Sequence, residues 1–495
     1  MSEPVNAFAP ATEQLRALRD RQVSAVELFD LHIRRIERLD GPINAIVTRD
    51  FERARQAAHA ADAARARGED RPLLGLPITI KDNIDVQGLP TTIGLPERAD
   101  HRAATDAPLA ARARAAGAVI MGKTNLPPYT SDWQAENPIF GRTNNPWNLE
   151  RTPGGSTGGG GAALAAGLTS LEFGTDIGGS IRIPASWCGV YGHRPSFTAI
   201  PRSGHFPGWA LPNPAVNLST LGPLARSASD LELALDVVSG PETGEEVAWR
   251  LEIPPARHAA LADYRVAILP SVTWLPVGQT FMAAIERLRE HLARTGVRVA
   301  EAQPDGFGDR VEYHDVYLSL LGPTLGATPR TPDERRNRAA EIRASGVPFA
   351  EARARGVEAS AADFIDGHAR REQYRAAWRD FFRSWDILLA PIVSTPAPPY
   401  STVPLGQRLL DVDGTPVDAF RLLAHPGLAV LAGLPATAFP LGLTPDGLPI
   451  GIQAVGPYLE DRTPIRFAGL VAQELGGYQR PPGYDDDRVT RATGA

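Results

Sequence analysis

The chain has 495 residues, 43% of them hydrophobic and 22% charged, proportions that belong to ordinary globular proteins and exclude a disordered or fibrous chain. A formal charge of −6 leaves no basic excess with which to hold nucleic acid or an anionic membrane surface. The single cysteine, Cys188, excludes an internal disulfide and a cysteine-based metal cluster.

The N-terminal sequence lacks a basic stretch followed by an apolar core, and no uninterrupted apolar run reaches membrane-spanning length, so a cytoplasmic protein is expected. From Ala11 to Leu39, the residues Leu15, Leu18, Val26, Leu28, Ile33 and Ile36 recur at roughly helical spacing, with Ser24 placed to cap the second of two surface helices. Glu52 to Arg67 continues the helical pattern. "LPITIKD", Leu76 to Asp82, alternates apolar with small or polar residues and reads as a strand running into a loop at Lys81 and Asp82. A helix around Pro108 to Ala116 closes at Gly117, and "AVIMGKTN" follows as a short buried strand. Beyond a glycine-rich region, "DLELALDVVSG" reads as helix, "YRVAILP" as strand and "TFMAAIERLREHLARTG" as helix. Residues 305–383 read as mostly helical, and "DILLAP", "LPATAFPLGL" and "LPIGIQAVG" as three further strands. Such alternation indicates α/β architecture, and the lack of repeats or low-complexity linkers favours one domain over residues 1–495.

Two short patterns point to unrelated chemistry and fail on context. "GAVIMGKT", Gly117 to Thr124, satisfies the phosphate-loop spacing. Its four middle residues, Ala118, Val119, Ile120 and Met121, favour a buried strand, however, and Pro127 and Pro128 oppose a helix starting at Lys123. "GGSTG", Gly154 to Gly158, matches the nucleophile turn of α/β-hydrolases, but the polar "NLERTP" before it does not supply the buried strand that turn requires. No histidine stands in a distinctive setting, and there is no HExxH, helical His pair or CxxC to hold a metal.

What remains is "RTPGGSTGGGGAALAAGLTSLEFGTDIGGSIRIP", Arg151 to Pro184, in which Ser156 and Ser180 sit in separate glycine clusters. Glycine turns alone need carry no chemistry. Here they combine two hydroxyls, unhindered amides at Ile177, Gly178, Gly179 and Ser180 suited to a developing oxyanion, and Lys81 at a strand end. A buried lysine loses its charge more easily and can then act as a base without histidine.

The blocks "PITIKDNIDVQGLPTT", "GAVIMGKTNLPPYT", "GRTNNPWNLERTPGGSTGG", "FGTDIGGSIRIPASWCGVYGHRP", "LGPLARSASDLELAL" and "AGLPATAFPLGLTPDGLPIGIQAVG" resemble, in order, those of the amidase signature family of serine hydrolases. The resemblance spans nearly the whole chain. It implies an α/β fold with a central mixed β-sheet covered by helices on both faces, and a helical elaboration near 305–383 that helps to form the substrate pocket. It further implies a triad in which Ser180 attacks the carbonyl carbon, Ser156, held through a cis peptide bond, relays the proton, and neutral Lys81 accepts it. The amides of Ile177, Gly178, Gly179 and Ser180 would hold the oxyanion, with Asp176 and Arg182 bracing the loop by an ion pair. Thr157 replaces the second serine of the usual "GGSSGG", "GHRP" replaces "GLKP" at Gly192 to Pro195, and Pro128 stands where an acidic residue is common. None of these departures removes a triad member.

The implied reaction is hydrolysis of small amides, anilides, carbamates or esters through an acyl-enzyme, without metal or organic cofactor. The implied partner is a small-molecule substrate, and the sequence does not choose between monomer and homodimer. Tyr129, Trp133, Phe206 and Trp209 are candidate pocket walls and fit ordinary packing equally well. The alternative role is that of an amidotransferase component that passes ammonia from glutamine to a partner enzyme acting on aminoacyl-tRNA. A third, from another class, is nucleotide binding at Gly117 to Thr124.

Overall fold

A computed structural model describes residues 5–206, 217–325 and 331–484 of the chain. The N-terminal periodicity folds as α1 (Ala11–Arg19) and α2 (Ala25–Ile43), which bury Leu15, Leu18, Leu28, Ile33 and Ile36. Ser24 caps α2: its Oγ accepts from the Glu27 N–H at 3.1 Å while the Glu27 carboxylate accepts from the Ser24 N–H at 2.8 Å. The chain continues through β1 (Ile46–Arg49), α3 (Phe51–Ala66), β2 (Pro77–Lys81), α4 (Pro108–Ala115), β3 (Val119–Thr124), and the short pair β4 (Glu136–Asn137) and β5 (Gly141–Arg142). Then come α5 (Gly158–Ala165), β6 (Glu172–Asp176), α6 (Arg182–Cys188), β7 (Tyr191–Arg194), β8 (Thr220–Ala225), α7 (Ala228–Val238), β9 (Arg265–Ile268), α8 (Gln279–Arg294) and β10 (Arg298–Glu301). Four helices follow, α9 (Val311–Leu325), α10 (Pro332–Ala344), α11 (Ala350–Glu358) and α12 (Ala361–Ser384), and then β11 (Ile387–Pro391) and the hairpin β12 (Leu409–Val412) and β13 (Thr415–Asp418). The described chain closes with α13 (Ala419–Leu422), α14 (Ala424–Ala432), β14 (Ala436–Leu443), β15 (Pro449–Val455) and α15 (Arg462–Leu475).

Among the described residues, eleven strands form one sheet in the order β1-β3-β2-β6-β8-β7-β14-β15-β11-β9-β10. It is mixed: β2 runs parallel to β3 and β6, β8 and β14 are each antiparallel to both their neighbours, and β11, β9 and β10 are parallel to one another. Helices cover both faces, as alternation along β15 makes visible. The Gly451 backbone and the Gln453 side chain meet Ser186 and Arg182 of α6, whereas Ile452 and Ala454 join the core containing Phe467 and Leu470 of α15. Two-sided cover explains why β2, "PITIK", is buried at every position despite its alternating pattern. Its polar residues Thr79 and Lys81 are buried because they are paired.

Within the eleven-stranded sheet the unforeseen strands are β1, β6, β7, β8 and β10, and both short hairpins were unforeseen as well. Residues with weak strand preference dominate β6, "EFGTD", and its pairing with β2 and β8 overrides that preference. The phosphate-loop match resolves as strand: Lys123 ends its side chain on the Asp82 and Pro90 carbonyls and the Thr91 hydroxyl at 2.7–2.9 Å. No helix among the described residues is long and apolar enough to cross a membrane.

Candidate active site

Two parallel neighbours end side by side, β2 at Lys81 and β6 at Asp176, with Thr79 opposite Glu172 and Ile80 opposite Phe173. The glycine clusters let the following turns descend onto these strand ends. A Cβ on Gly155 would lie 2.4 Å from the Asp132 carbonyl oxygen, and Gly179 has φ of +92°. The Gly155–Ser156 peptide bond is cis. The Thr157 N–H donates to the Ser180 carbonyl at 3.1 Å, which joins the two serine-bearing turns.

Within this frame the Lys81 Nζ lies 2.7 Å from Ser156 Oγ and 2.9 Å from Thr175 Oγ1. Lys81 is fully buried, Ser156 is 1% exposed and Ser180 6%. Burial pushes the Lys81 amine down to about 7, against the opposing pull of the Asp176 and Glu172 charges. Asp176 behaves oppositely: burial alone would raise it, but Arg182 and Arg194 hold its carboxyl down at about 2. The Arg182 guanidinium makes a two-point pair with Asp176, Nε to Oδ2 at 3.0 Å and Nη2 to Oδ1 at 2.9 Å, both side chains fully buried.

The turn after β6 is fixed at its carbonyls. The Tyr317 hydroxyl donates to the Ile177 carbonyl at 2.8 Å, and the Trp133 indole N–H donates to that of Gly178 at 3.2 Å. Among the described residues the N–H groups of Ile177, Gly178 and Ser180 meet no protein acceptor. The Gly179 N–H, by contrast, donates to Asp176 Oδ1 at 3.0 Å, which ties this part of the turn to the Asp176–Arg182 pair.

The residues expected to wall the pocket divide. Trp133 is buried and ties down the Gly178 carbonyl. Phe206 is buried in a small apolar cluster with Ile93 and Leu95, against which Tyr129 packs, and the Arg98 guanidinium lies 4.4 Å from its ring centre. The Phe206 carbonyl accepts from Asn83 Nδ2 at 2.9 Å, and the same amide reaches Thr175 Oγ1 at 3.2 Å. Trp209 lies outside the described residues. Thr157 is buried against Gly174, where any Cβ would fall 2.6 Å from its methyl group, so its extra carbon occupies space that Gly174 leaves.

Several participants carried no sequence signal of their own. Thr175 accepts from both Lys81 and Asn83, and Tyr317 reaches the site from α9, 140 residues away in the chain. Glu172, a carboxylate inside the buried strand β6, carried none either, because that strand was not itself predicted. It accepts from Thr79 Oγ1 at 2.5 Å and Thr124 Oγ1 at 2.6 Å, and burial pushes it up to about 7. The histidines stand apart from the triad: His193 binds Thr437 and Asp461, and His425 binds Ser394. His205, whose nitrogens meet the Arg202 carbonyl and Ser219, is pushed down to about 4 by burial.

The family model described as Amidase matches residues 27–464. The chain is 33% identical to an indoleacetamide hydrolase of Bradyrhizobium diazoefficiens, over 91% of this chain and 84% of the relative. It is 32% identical to a glutamyl-tRNA(Gln) amidotransferase component of Roseiflexus sp. (strain RS-1), over 94% of this chain and 96% of the relative. Among solved structures, 6-aminohexanoate cyclic dimer hydrolase superposes with a TM-score of 0.76 at 28% identity, covering 97% of this chain and 99% of that one.

Proposed function

Since this chain belongs to the amidase family of amide-cleaving enzymes, we propose that it hydrolyses the carbon–nitrogen bond of small amides and anilides through an acyl-enzyme on Ser180. The observation that carries this reading is the buried Lys81–Ser156 contact of 2.7 Å, with the amine neutral from about pH 7 upward. In that state the amine donates to Thr175 Oγ1 and offers its lone pair to the Ser156 hydroxyl.

Ser180 Oγ attacks the carbonyl carbon and its proton passes through the Ser156 hydroxyl to Lys81. The carbonyl oxygen becomes an oxyanion facing the N–H groups of Ile177, Gly178 and Ser180, with the loss of one such donor costing about 10²–10³ in rate. The relay then returns the proton to the leaving nitrogen, the C–N bond breaks and the amine departs. Water repeats the sequence on the ester to release the acid and restore Ser180. Carbamates and esters pass through the same tetrahedral species and fall within reach of this machinery. Asp176, Arg182 and Thr157 serve as positioning groups, and Tyr129, Trp133 and Phe206 as the aromatic surroundings of the substrate.

The relative from Roseiflexus keeps the amidotransferase reading open, with glutamine as ammonia source and a partner enzyme as recipient. One experiment separates the two: hydrolysis of an anilide, a primary aliphatic amide, glutamine and an aryl carbamate by the purified chain, Ser180→Ala and Lys81→Ala. The expected result is partner-independent cleavage of the anilide or aliphatic amide, lost by at least about 10³-fold in Ser180→Ala. Cleavage of glutamine alone would support the amidotransferase role, and full activity in Ser180→Ala would remove Ser180 as nucleophile.

A further inference from the structure

A cavity of about 310 Å³ lies away from the triad, where the parallel strands β9 and β11 end and α8 begins. Carboxyl ends of parallel strands are a recurrent place for ligands in open α/β sheets. Its walls are mainly apolar, with Val272, Leu275, Met282, Ile285 and Leu389 among them. The exposed charged side chains Glu286, Arg289 and Glu301 stand on its wall, and two polar side chains there are buried, Arg310 and His425, at 5% and 3% exposure.

Arg310 is the unexplained group. Its φ of +68° is a left-handed conformation unusual for a residue other than glycine, asparagine or aspartate. The guanidinium donates to the Pro270 carbonyl at 2.8 Å and to Gln303 Oε1, both neutral acceptors. Among the described residues no carboxylate stands within ion-pair distance of it. Two acids share the cavity wall: Glu286 pairs there with Arg289 at 2.7 Å and Glu301 is exposed to solvent, while Asp309 accepts from the Val311 N–H. A buried cation without a counter-ion in contact is costly, and this one lines a mainly apolar cavity.

We infer that this cavity is a binding site for a small monocarboxylate with an apolar body, its carboxylate on Arg310 and its body against Val272, Leu275 and Met282. The acid released by amide hydrolysis belongs to this class. On the amidase reading given above, the site therefore receives the reaction's own product.

The cavity also adjoins the supports of the nucleophile turn. His425 Nε2 is 3.0 Å from Ser394 Oγ, whose hydroxyl donates to the Pro276 carbonyl at 2.7 Å, so Nε2 carries the proton and Nδ1 is left without a partner. The His425 carbonyl accepts from Gln453, which accepts in turn from Arg182, the partner of Asp176. Pro426 is packed so closely beneath Gly179 that a Cβ there would lie 2.8 Å from the Pro426 ring. Arg310 and His425 line the same cavity, so a carboxylate held there is expected to act on the turn through His425, slowing turnover without competing for the substrate pocket.

The test uses benzoate, with benzyl alcohol as its uncharged counterpart, on the full chain. Benzoate is expected to bind wild type and Ser180→Ala alike by calorimetry, and about tenfold or more weakly to Arg310→Met, the scale of losing a charge-assisted pair. Met282→Trp, which fills the cavity from a partly exposed position, is expected to lose binding while keeping basal turnover, and serves if Arg310→Met does not fold. Equal affinity for benzyl alcohol would overturn the carboxylate assignment. Benzoate binding unchanged in both cavity variants, or absent in wild type, would overturn the site. The regulatory half is read as a fall in kcat at constant KM, present in wild type and absent in Met282→Trp. A chain that binds benzoate through Arg310 but cleaves no amide would keep the site and remove the amidase reading.

Discussion

Lys81 is fully buried with two hydroxyls around its amine, and the acids that favour its charge, Asp176 and Glu172, lie on the adjacent strand. Desolvation outweighs them and brings the amine to about 7. Because the base works in its neutral form, kcat/KM is expected to rise with pH through about 7 and then level, which a pH–rate profile reads directly. Glu172→Gln removes one of the two charges that hold the proton on Lys81, so the rising limb should move to lower pH. His205, pushed down to about 4, is uncharged throughout this range and leaves the limb to Lys81. A Glu172→Gln profile with an unmoved midpoint would show that Glu172 does not influence the base.

At the scale of elements, the turn between β6 and α6 is held from opposite directions in the sequence. Trp133, in the segment after β3, and Tyr317, on α9, grip successive carbonyls at Gly178 and Ile177. With their oxygens restrained, the N–H groups of the turn keep one direction, which is what stabilisation of a developing charge requires. Tyr317→Phe keeps the ring and removes only the hydroxyl. It is expected to cost about 1 kcal/mol in stability, by denaturant unfolding, and to lower kcat more than it raises KM. An unchanged kcat would mean that the turn holds its shape without α9. The helices of 311–384 were legible as helical from composition and spacing, but the contact of one tyrosine with a distant carbonyl was not.

Across the molecule, Gln453 on β15 joins three segments distant in sequence. Its Oε1 accepts from Arg182, and its Nε2 donates to the carbonyls of Pro391 and His425 at 2.9 and 3.0 Å. All of these groups are buried, so Gln453→Leu leaves a guanidinium N–H and two carbonyls unsatisfied at once. The expected loss is about 3 kcal/mol or more of unfolding free energy, with reduced turnover, since Arg182 loses one of the anchors of the Asp176 pair. A stability within about 0.5 kcal/mol of wild type would show that water satisfies these groups instead.

The sequence by itself determined the α/β class, the main helices, the strands ending in Lys81 and bearing Lys123, and, through six ordered blocks, the family with Lys81, Ser156 and Ser180 as its candidate triad. These signals are local: apolar periodicity, capping residues, and glycines where no side chain fits. Tertiary structure alone decided that β6 is a strand, that Gly179 spends its N–H on Asp176, that Thr175 and Glu172 surround Lys81, and that Arg310 faces a cavity without a counter-ion. Each depends on which distant group stands opposite a given atom. A hydrogen bond or a desolvated charge takes its value from that neighbour, and strand order and register, not residue type, bring the neighbour there.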